Sequence, residues 1–357
     1  MAFLTSFVLA LVFTPVAIFL APKIGAVDIP KDGRRMHDKP MPRFGGLAMF
    51  IGTMASIAIF IEPGSLHLAG VLTGGALIYV LGLIDDLTGL PAKVKFAGQI
   101  VIACLVFALG VRINFIANFF SADAGYTYFF GITAFLMTVL WITGITNTIN
   151  LIDGLDGLAA GVAAISSFAI AYASFISSGS EAATLAMLAL AGGALGFLPF
   201  NFNPAKIFMG DGGALFLGFM LSVLSIEGAT KSATIVAMIA PVLVLGLPIF
   251  DTAFAILRRM INKRPIMEPD KGHLHHRIMA AGFGQRRAVL MLYGISGVMG
   301  VAAVLLSRDL FIESLALLVI AGALIYVFLS DSDSLRDKLK AVNVAKEERK
   351  GRQEKQR

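Results

Sequence analysis

Apolar stretches close to the length of a bilayer crossing recur from one end of this chain to the other, and they decide what it can fold into. Inside a bilayer every backbone N–H and C=O must be paired within the protein, which leaves helices or closed barrels. A helix needs roughly twenty apolar residues to cross. Eleven such stretches are read, at 3–21, 44–61, 66–84, 95–110, 129–147, 158–177, 182–198, 213–227, 233–256, 288–306 and 310–329. The expected fold class is therefore all-α: a polytopic membrane protein of about eleven transmembrane helices. A single integral-membrane domain is expected over 1–330, followed by a charged tail over 331–357. Only 15% of the 357 residues are charged and 57% are hydrophobic, too little charge to cover a soluble domain of this size.

The charges between spans set the orientation. No Lys or Arg precedes the first span, Phe3–Leu20, whereas Lys23, Lys31, Arg34 and Arg35 follow it. A cleavable signal needs the opposite arrangement, so this span reads as a retained helix with its N-terminus outside. Alternating sides from there puts 26 of the 29 Lys and Arg on the inner face, and only Arg112, Lys231 and Arg308 outside. That is the asymmetry expected of cytoplasmic loops. It places the C-terminus in the cytoplasm and depends on an odd number of spans. It also accounts for the net charge of +6 without a nucleic-acid partner. Membrane lipids are the expected surroundings.

Several features have plain readings. Cys104 is the single cysteine and lies in an apolar run, so it forms no intramolecular disulfide and reads as a small buried residue. The tail from Asp331 alternates in sign and reads as solvated. The outer loop Val111–Phe129 is rich in Phe and Tyr and reads as an interfacial anchor. His67 reads as an interfacial residue on the outer side.

The acids are more telling, because carboxylates near a bilayer are costly and these gather at inner span ends. Asp85-Asp86 close the third span. Acids at a helix C-terminus oppose its dipole, and neighbours on a helix point about 100° apart. Different roles follow, one toward a phosphate or metal and one toward a Lys or backbone donor. After the fifth span comes Asn147-Thr-Ile-Asn150-Leu-Ile-Asp153-Gly-Leu-Asp156-Gly157. Its four oxygen-bearing side chains recur every third residue, and hard Mg²⁺ takes a few such oxygens together with substrate phosphates. Asp211, between glycines before the eighth span, has two readings: a helix N-cap, or a group beside a phosphate. Asp251, inside the ninth span, is either structural or catalytic. The inner loop holding His273, His275, His276 and Arg277 suits phosphate or sugar. Zinc is the rival there, with no cysteine to complete its site. The first inner loop, from Asp28 to Arg43 and on to Gly45-Gly46, reads either as ordinary positive-inside charge or, given its prolines and glycines, as a second basic wall for an anionic lipid or nucleotide. Lys95, Asn147 and Lys206, beside these motifs, are further candidate substrate-binding residues.

Taken together, these motifs resemble the polyprenyl-phosphate N-acetylhexosamine-1-phosphate transferase family, from about Asp28 to Leu292. The carrying motifs are Arg-Met-His-Asp-Lys-Pro-Met-Pro-Arg-Phe-Gly-Gly, Asp85-Asp86, the Asn/Asp run, Met209-Gly210-Asp211 and Gly272-His-Leu-His-His-Arg277. The resemblance implies transfer of a sugar 1-phosphate from a UDP-sugar to a membrane polyprenyl phosphate on the cytoplasmic face, with release of UMP. It implies Mg²⁺, with Mn²⁺ as the alternative ion, held by Asp211 and Asn150. It gives Asp85 and Asp86 the lipid phosphate, Asp153 and Asp156 the nucleotide and diphosphate region, and His273, His275, His276 and Arg277 the diphosphate and sugar. A homodimer belongs to the same set of expectations. The loop looks like the branch that joins UDP-GlcNAc to undecaprenyl phosphate at the start of teichoic acid, O-antigen and related glycans. Leu274 interrupts the three adjacent histidines of the branch that uses UDP-MurNAc-pentapeptide, which is the alternative. A transporter or lipid flippase is the rival of another class. It would place ionisable residues near the midplane in paired repeats, and no repeat is visible.

Overall fold

A computed structural model describes residues 1–29, 40–117, 126–128, 130–178, 180–229, 283–308 and 310–330, together with isolated positions between 242 and 279. Ten long helices stand among them: α1 (Ala2–Ile24), α2 (Gly46–Phe60), α3 (Leu68–Thr88), α4 (Ala92–Ala108), α5 (Ile132–Ile152), α6 (Leu158–Ser178), α7 (Glu181–Asn201), α8 (Gly210–Ala229), α9 (Gln285–Leu306) and α10 (Phe311–Ser330). They coincide with ten of the eleven expected spans. The ninth, 233–256, falls largely outside the described residues, as do Asp251 and the loop with His273, His275, His276 and Arg277. Seven of these helices are long and apolar enough to cross a membrane, and α2 is a shorter apolar helix. The protein is an all-α polytopic membrane protein.

Two short hairpins depart from the purely helical expectation. β1 (Val27–Asp28) pairs antiparallel with β2 (Met41–Pro42), and β3 (Phe115–Ala117) pairs with β4 (Tyr126–Tyr128). Each lies where a connection leaves a helix end, so its backbone groups need partners other than a helix provides.

Helices pack closely where side chains are small, as membrane bundles require. A Cβ on Gly192 or Gly196 of α7 would stand 2.3 Å from the Phe3 or Phe7 carbonyl oxygen of α1. Four threonine hydroxyls inside the bundle are satisfied locally: Thr14, Thr138, Thr143 and Thr146 each donate to the carbonyl four residues back, at 2.6–2.7 Å. At the centre stands α8, with 94% of its apolar stretch buried. Phe216 and Phe219 are fully enclosed there. Phe216 meets Phe50 of α2 edge-on, and Phe50 stacks on Tyr79 of α3 with ring centroids 4.5 Å apart.

This centre fixes the site. α8 packs against α3 and α5, and α4 packs against both of those. The C-terminal ends of α3 and α5 therefore meet the N-terminal ends of α4 and α8 at one end of the bundle. At the other end His67, beside the start of α3, meets the buried Glu227 near the end of α8, Nδ1 to Oε1 at 2.9 Å. His67 is thus a partner of an internal acid, where the sequence suggested only an interfacial residue.

Candidate active site

A short stretch of extended chain brings the first functional group into place. Arg43 follows β2 and forms a single parallel bridge with Phe208. Its N–H donates to the Ala26 carbonyl at 2.8 Å, and Phe208 N–H donates to the Pro42 carbonyl at 2.8 Å. Gly45 and Gly46 N–H groups then bond the Phe208 and Met209 carbonyls at 3.0 and 2.9 Å. The approach needs glycine: a Cβ on Gly46 would lie 2.4 Å from the Gly213 nitrogen. The segment Pro42–Gly46 is thus fastened to the connection leading into α8, with the Arg43 side chain at that helix's start.

α8 begins at Gly210, whose φ of +74° suits a residue without a side chain. Asp211 lies in the helix's first turn, and the carboxylate that caps the helix comes from α3. Asp86 Oδ1 accepts the Asp211 N–H at 2.8 Å, and Oδ2 accepts the Gly212 N–H at 2.9 Å. The N-cap reading of Asp211 therefore gives way to one in which Asp86 supplies the acceptor. Two unpaired helix N–H groups and the positive end of the dipole explain why an acid is held there. Asp86 Oδ1 also pairs with Arg43 Nε at 3.0 Å.

Asp211 is left with its carboxylate facing the other elements. Oδ2 meets the Arg43 guanidinium. Oδ1 accepts from Asn150 Nδ2 at 2.7 Å and from Lys95 Nζ at 3.2 Å. Lys95, near the start of α4, also pairs with Asp85 Oδ2 at 2.8 Å, while Asp85 Oδ1 accepts the Leu90 N–H at 2.7 Å. Asp85 and Asp86 diverge as helix geometry requires, Asp85 to a lysine and one backbone N–H and Asp86 to two backbone N–H groups and an arginine.

The Asn/Asp run does not continue as one helical row. α5 extends to Ile152, and the chain then turns through Gly154 and Gly157 before α6. Asn150 faces Asp211. Asn147 faces α4, where its amide pairs reciprocally with Gln99, and it also donates to the Thr143 carbonyl at 2.8 Å. Asp153 caps α5, and among the described residues its carboxylate has no hydrogen-bond partner. Burial, and then the nearby Asp211 charge, push its pKa up to about 7, against the lowering effect of Arg43. Asp156 points the other way. Its Oδ2 accepts from Asn203 Nδ2 at 2.9 Å and from the Ala205 N–H at 3.1 Å. Asn203 in turn reaches Gln285 Oε1 at 2.8 Å, at the start of α9. Lys206 is exposed, and its N–H bonds the Phe200 carbonyl at 2.8 Å.

Asp85, Asp86, Asn150, Asp211 and Lys95 are therefore brought together, and Asp153 adjoins them. Asn147, Asp156 and Lys206 make their contacts elsewhere, and the histidine loop lies outside the described residues. In the sequence Arg43 belongs to a basic wall and to the Pro-Arg-Phe-Gly-Gly motif, neither of which gives it a role at this centre. The paired glycines after it were the available sign of a close backbone approach. Gln99, Asn203 and Gln285 carried no sign in the sequence, because amide side chains reveal a partner only when the fold supplies one.

Charge and donor type decide what this centre can hold. Four carboxylates, Asp85, Asp86, Asp153 and Asp211, face two cations, Arg43 and Lys95. The surplus is negative, and the donors are hard oxygens. Among the described residues no three acids or histidines form a preformed metal cage. Hard oxygen donors of this kind are those that Mg²⁺ takes together with phosphates and water.

The sequence profile described as glycosyl transferase family 4 matches residues 68–229, the stretch that contributes α3, α4, α5 and α8 to this centre. A "probable undecaprenyl-phosphate N-acetylglucosaminyl 1-phosphate transferase" of Bacillus subtilis is 42% identical over 308 residues, covering 85% of this chain and 84% of the relative. The chain belongs to glycosyl transferase family 4. A decaprenyl-phosphate N-acetylglucosaminephosphotransferase of Mycolicibacterium smegmatis is 34% identical, over 80% of this chain and 76% of that one. The phospho-N-acetylmuramoyl-pentapeptide-transferase of Moorella thermoacetica is 33% identical, over 82% and 93%. The relatives' names thus include both an N-acetylglucosaminyl 1-phosphate and a phospho-N-acetylmuramoyl-pentapeptide transferase.

Proposed function

We propose that this protein transfers GlcNAc-1-phosphate from UDP-GlcNAc to undecaprenyl phosphate at the cytoplasmic face of the membrane, releasing UMP, as the first step of an envelope glycan. The observation that carries this reading is the meeting of Asp85, Asp86, Asp211 and Asn150 with Arg43 and Lys95 at one end of the bundle, in a chain whose relatives bear transferase names. The positive-inside count supports the cytoplasmic side. Leu274 favours UDP-GlcNAc over the pentapeptide donor.

The reaction needs charge neutralisation more than a strong base, since a phosphate monoester is already anionic. Asp211 and Asn150 would hold Mg²⁺, which when bound neutralises charge on the donor diphosphate. Lys95, spanning Asp85 and Asp211, is placed to meet the phosphate oxygens of an incoming anion. Asp85 fixes the position of that lysine. Asp86, its oxygens taken by two backbone N–H groups and Arg43, orders the start of α8 so that the Asp211 carboxylate is preorganised. Direct attack by the lipid phosphate on the β-phosphorus then joins the two phosphates as UMP departs. The transporter reading draws no support from acids held at helix ends.

The test follows a label in the β-phosphate of UDP-GlcNAc. It should appear in a chloroform-soluble diphosphate lipid when purified protein and undecaprenyl phosphate are present. Label that stays in the aqueous phase, with protein shown to be folded, would refute the proposal.

A further inference from the structure

We infer that Arg43 is a resident counter-cation, which competes with a divalent metal ion for Asp211 and turns toward the substrate phosphates once that ion is bound. This rests on the reading of Asp211 as a metal ligand. Both oxygens of that carboxylate are already used: Oδ2 by the Arg43 guanidinium, Oδ1 by Asn150 Nδ2 at 2.7 Å and Lys95 Nζ at 3.2 Å. Oδ2 keeps one open lone pair, but a metal ion bound there would lie within a few ångströms of the Arg43 guanidinium, so the two cations compete for the carboxylate through their charge. Lys95 keeps a second carboxylate, Asp85, at 2.8 Å, and Arg43 keeps Asp86 at 3.0 Å. Of the two cations Arg43 is the one with room to move: its side chain is 36% exposed, against 19% for Lys95.

The backbone around Arg43 cannot follow. It is fixed on one side by Ala26 and on the other by Phe208 and Met209. Only the side chain can swing, and it pivots on a segment anchored to the start of α8. A guanidinium stays charged at any working pH, so a change of partner, not of protonation, relieves the competition. Its forked donors match a phosphate as well as a carboxylate. Arg43 is thus a positioning residue without the metal and a phosphate-facing one with it.

Mn²⁺ binding, followed by its electron paramagnetic resonance signal, tests this on purified full-length protein without nucleotide or lipid. Arg43→Gln should bind Mn²⁺ more tightly than wild type by about tenfold, because it removes a positive charge within a few ångströms of the ligand. Arg43→Lys, which keeps the charge, should bind near the wild-type level. In EDTA, Arg43→Gln should melt below wild type, and the gap should narrow as Mn²⁺ is added. A merely structural role would leave Mn²⁺ affinity unchanged or weaken it. Unchanged or weaker binding in folded Arg43→Gln, with binding lost in Asp211→Asn, overturns the competition alone. Equal Mn²⁺ binding by wild type and Asp211→Asn overturns the metal reading and this inference with it.

Discussion

The Asp86 carboxylate of α3 caps the helix that carries Asp211, accepting the Asp211 and Gly212 N–H groups at 2.8 and 2.9 Å. One acid thereby sets the direction of another. Asp86→Ala should remove the cap, worth about 0.5–2 kcal/mol, and leave Arg43 with Asp211 alone. A lowered melting temperature is expected, together with a loss in UMP release of about 10²–10³-fold, the scale of a lost preorganised electrostatic contact. Activity near wild type would show that Asp211 does not need this cap.

Asp153 gives a pH dependence whose sign can be worked out. Its folded pKa of about 7 lies above the ordinary carboxylate value of 3.8, because burial and the Asp211 charge oppose ionisation. The folded state then binds a proton that the unfolded state has released. Stability from this group is complete below about pH 4 and is lost as pH rises through about 7. In EDTA, the melting temperature of the wild type should fall between pH 5 and pH 8. Asp153→Asn should flatten that fall. Equal slopes in the two proteins would place Asp153 in a more hydrated setting.

Asn147 and Asn150 lie one helical turn apart yet should behave differently. Asn147 is engaged by Gln99 and the Thr143 carbonyl, whereas Asn150 donates to Asp211 at 2.7 Å. An interhelical side-chain bond inside a membrane is worth about 0.6 kcal/mol on average. Asn147→Ala should therefore lower stability slightly and keep most activity. Asn150→Ala should lose activity with little change in melting. Steady-state UMP release beside thermal unfolding decides it, and the reverse pattern would exchange their roles.

What could be read in the sequence follows from range. Helices in a membrane are specified by local apolar length, so ten helices are found at expected places, seven of them long and apolar enough to cross. Asp85 and Asp86 diverge as two neighbours on one helix must. Asp156 shows where this reasoning stops. A spacing of three placed it beside Asp153, but the helix ends at Ile152 and the following turn sends Asp156 to Asn203. Arg43 likewise reaches the centre through pairing with Phe208, 165 residues further along the chain. Partners at such separation leave no local pattern.

Asp156 and Asn203 should accordingly act as a unit. Asn203 joins Asp156 to Gln285 and, through its carbonyl, to Arg286 Nε at 2.6 Å, tying the α5–α6 turn to the start of α9. A double-mutant cycle with Asp156→Ala and Asn203→Ala, read by unfolding, should give a coupling of about 0.5–3 kcal/mol. Additive effects would mean that the two residues act independently.

The most direct measurement offers purified protein undecaprenyl phosphate and Mg²⁺ with UDP-GlcNAc, UDP-GalNAc or UDP-MurNAc-pentapeptide in separate reactions, and follows UMP. Release is expected with UDP-GlcNAc alone, lost with EDTA and in Asp211→Ala. Release with the pentapeptide donor only, or with none of the three from folded protein, would contradict the account.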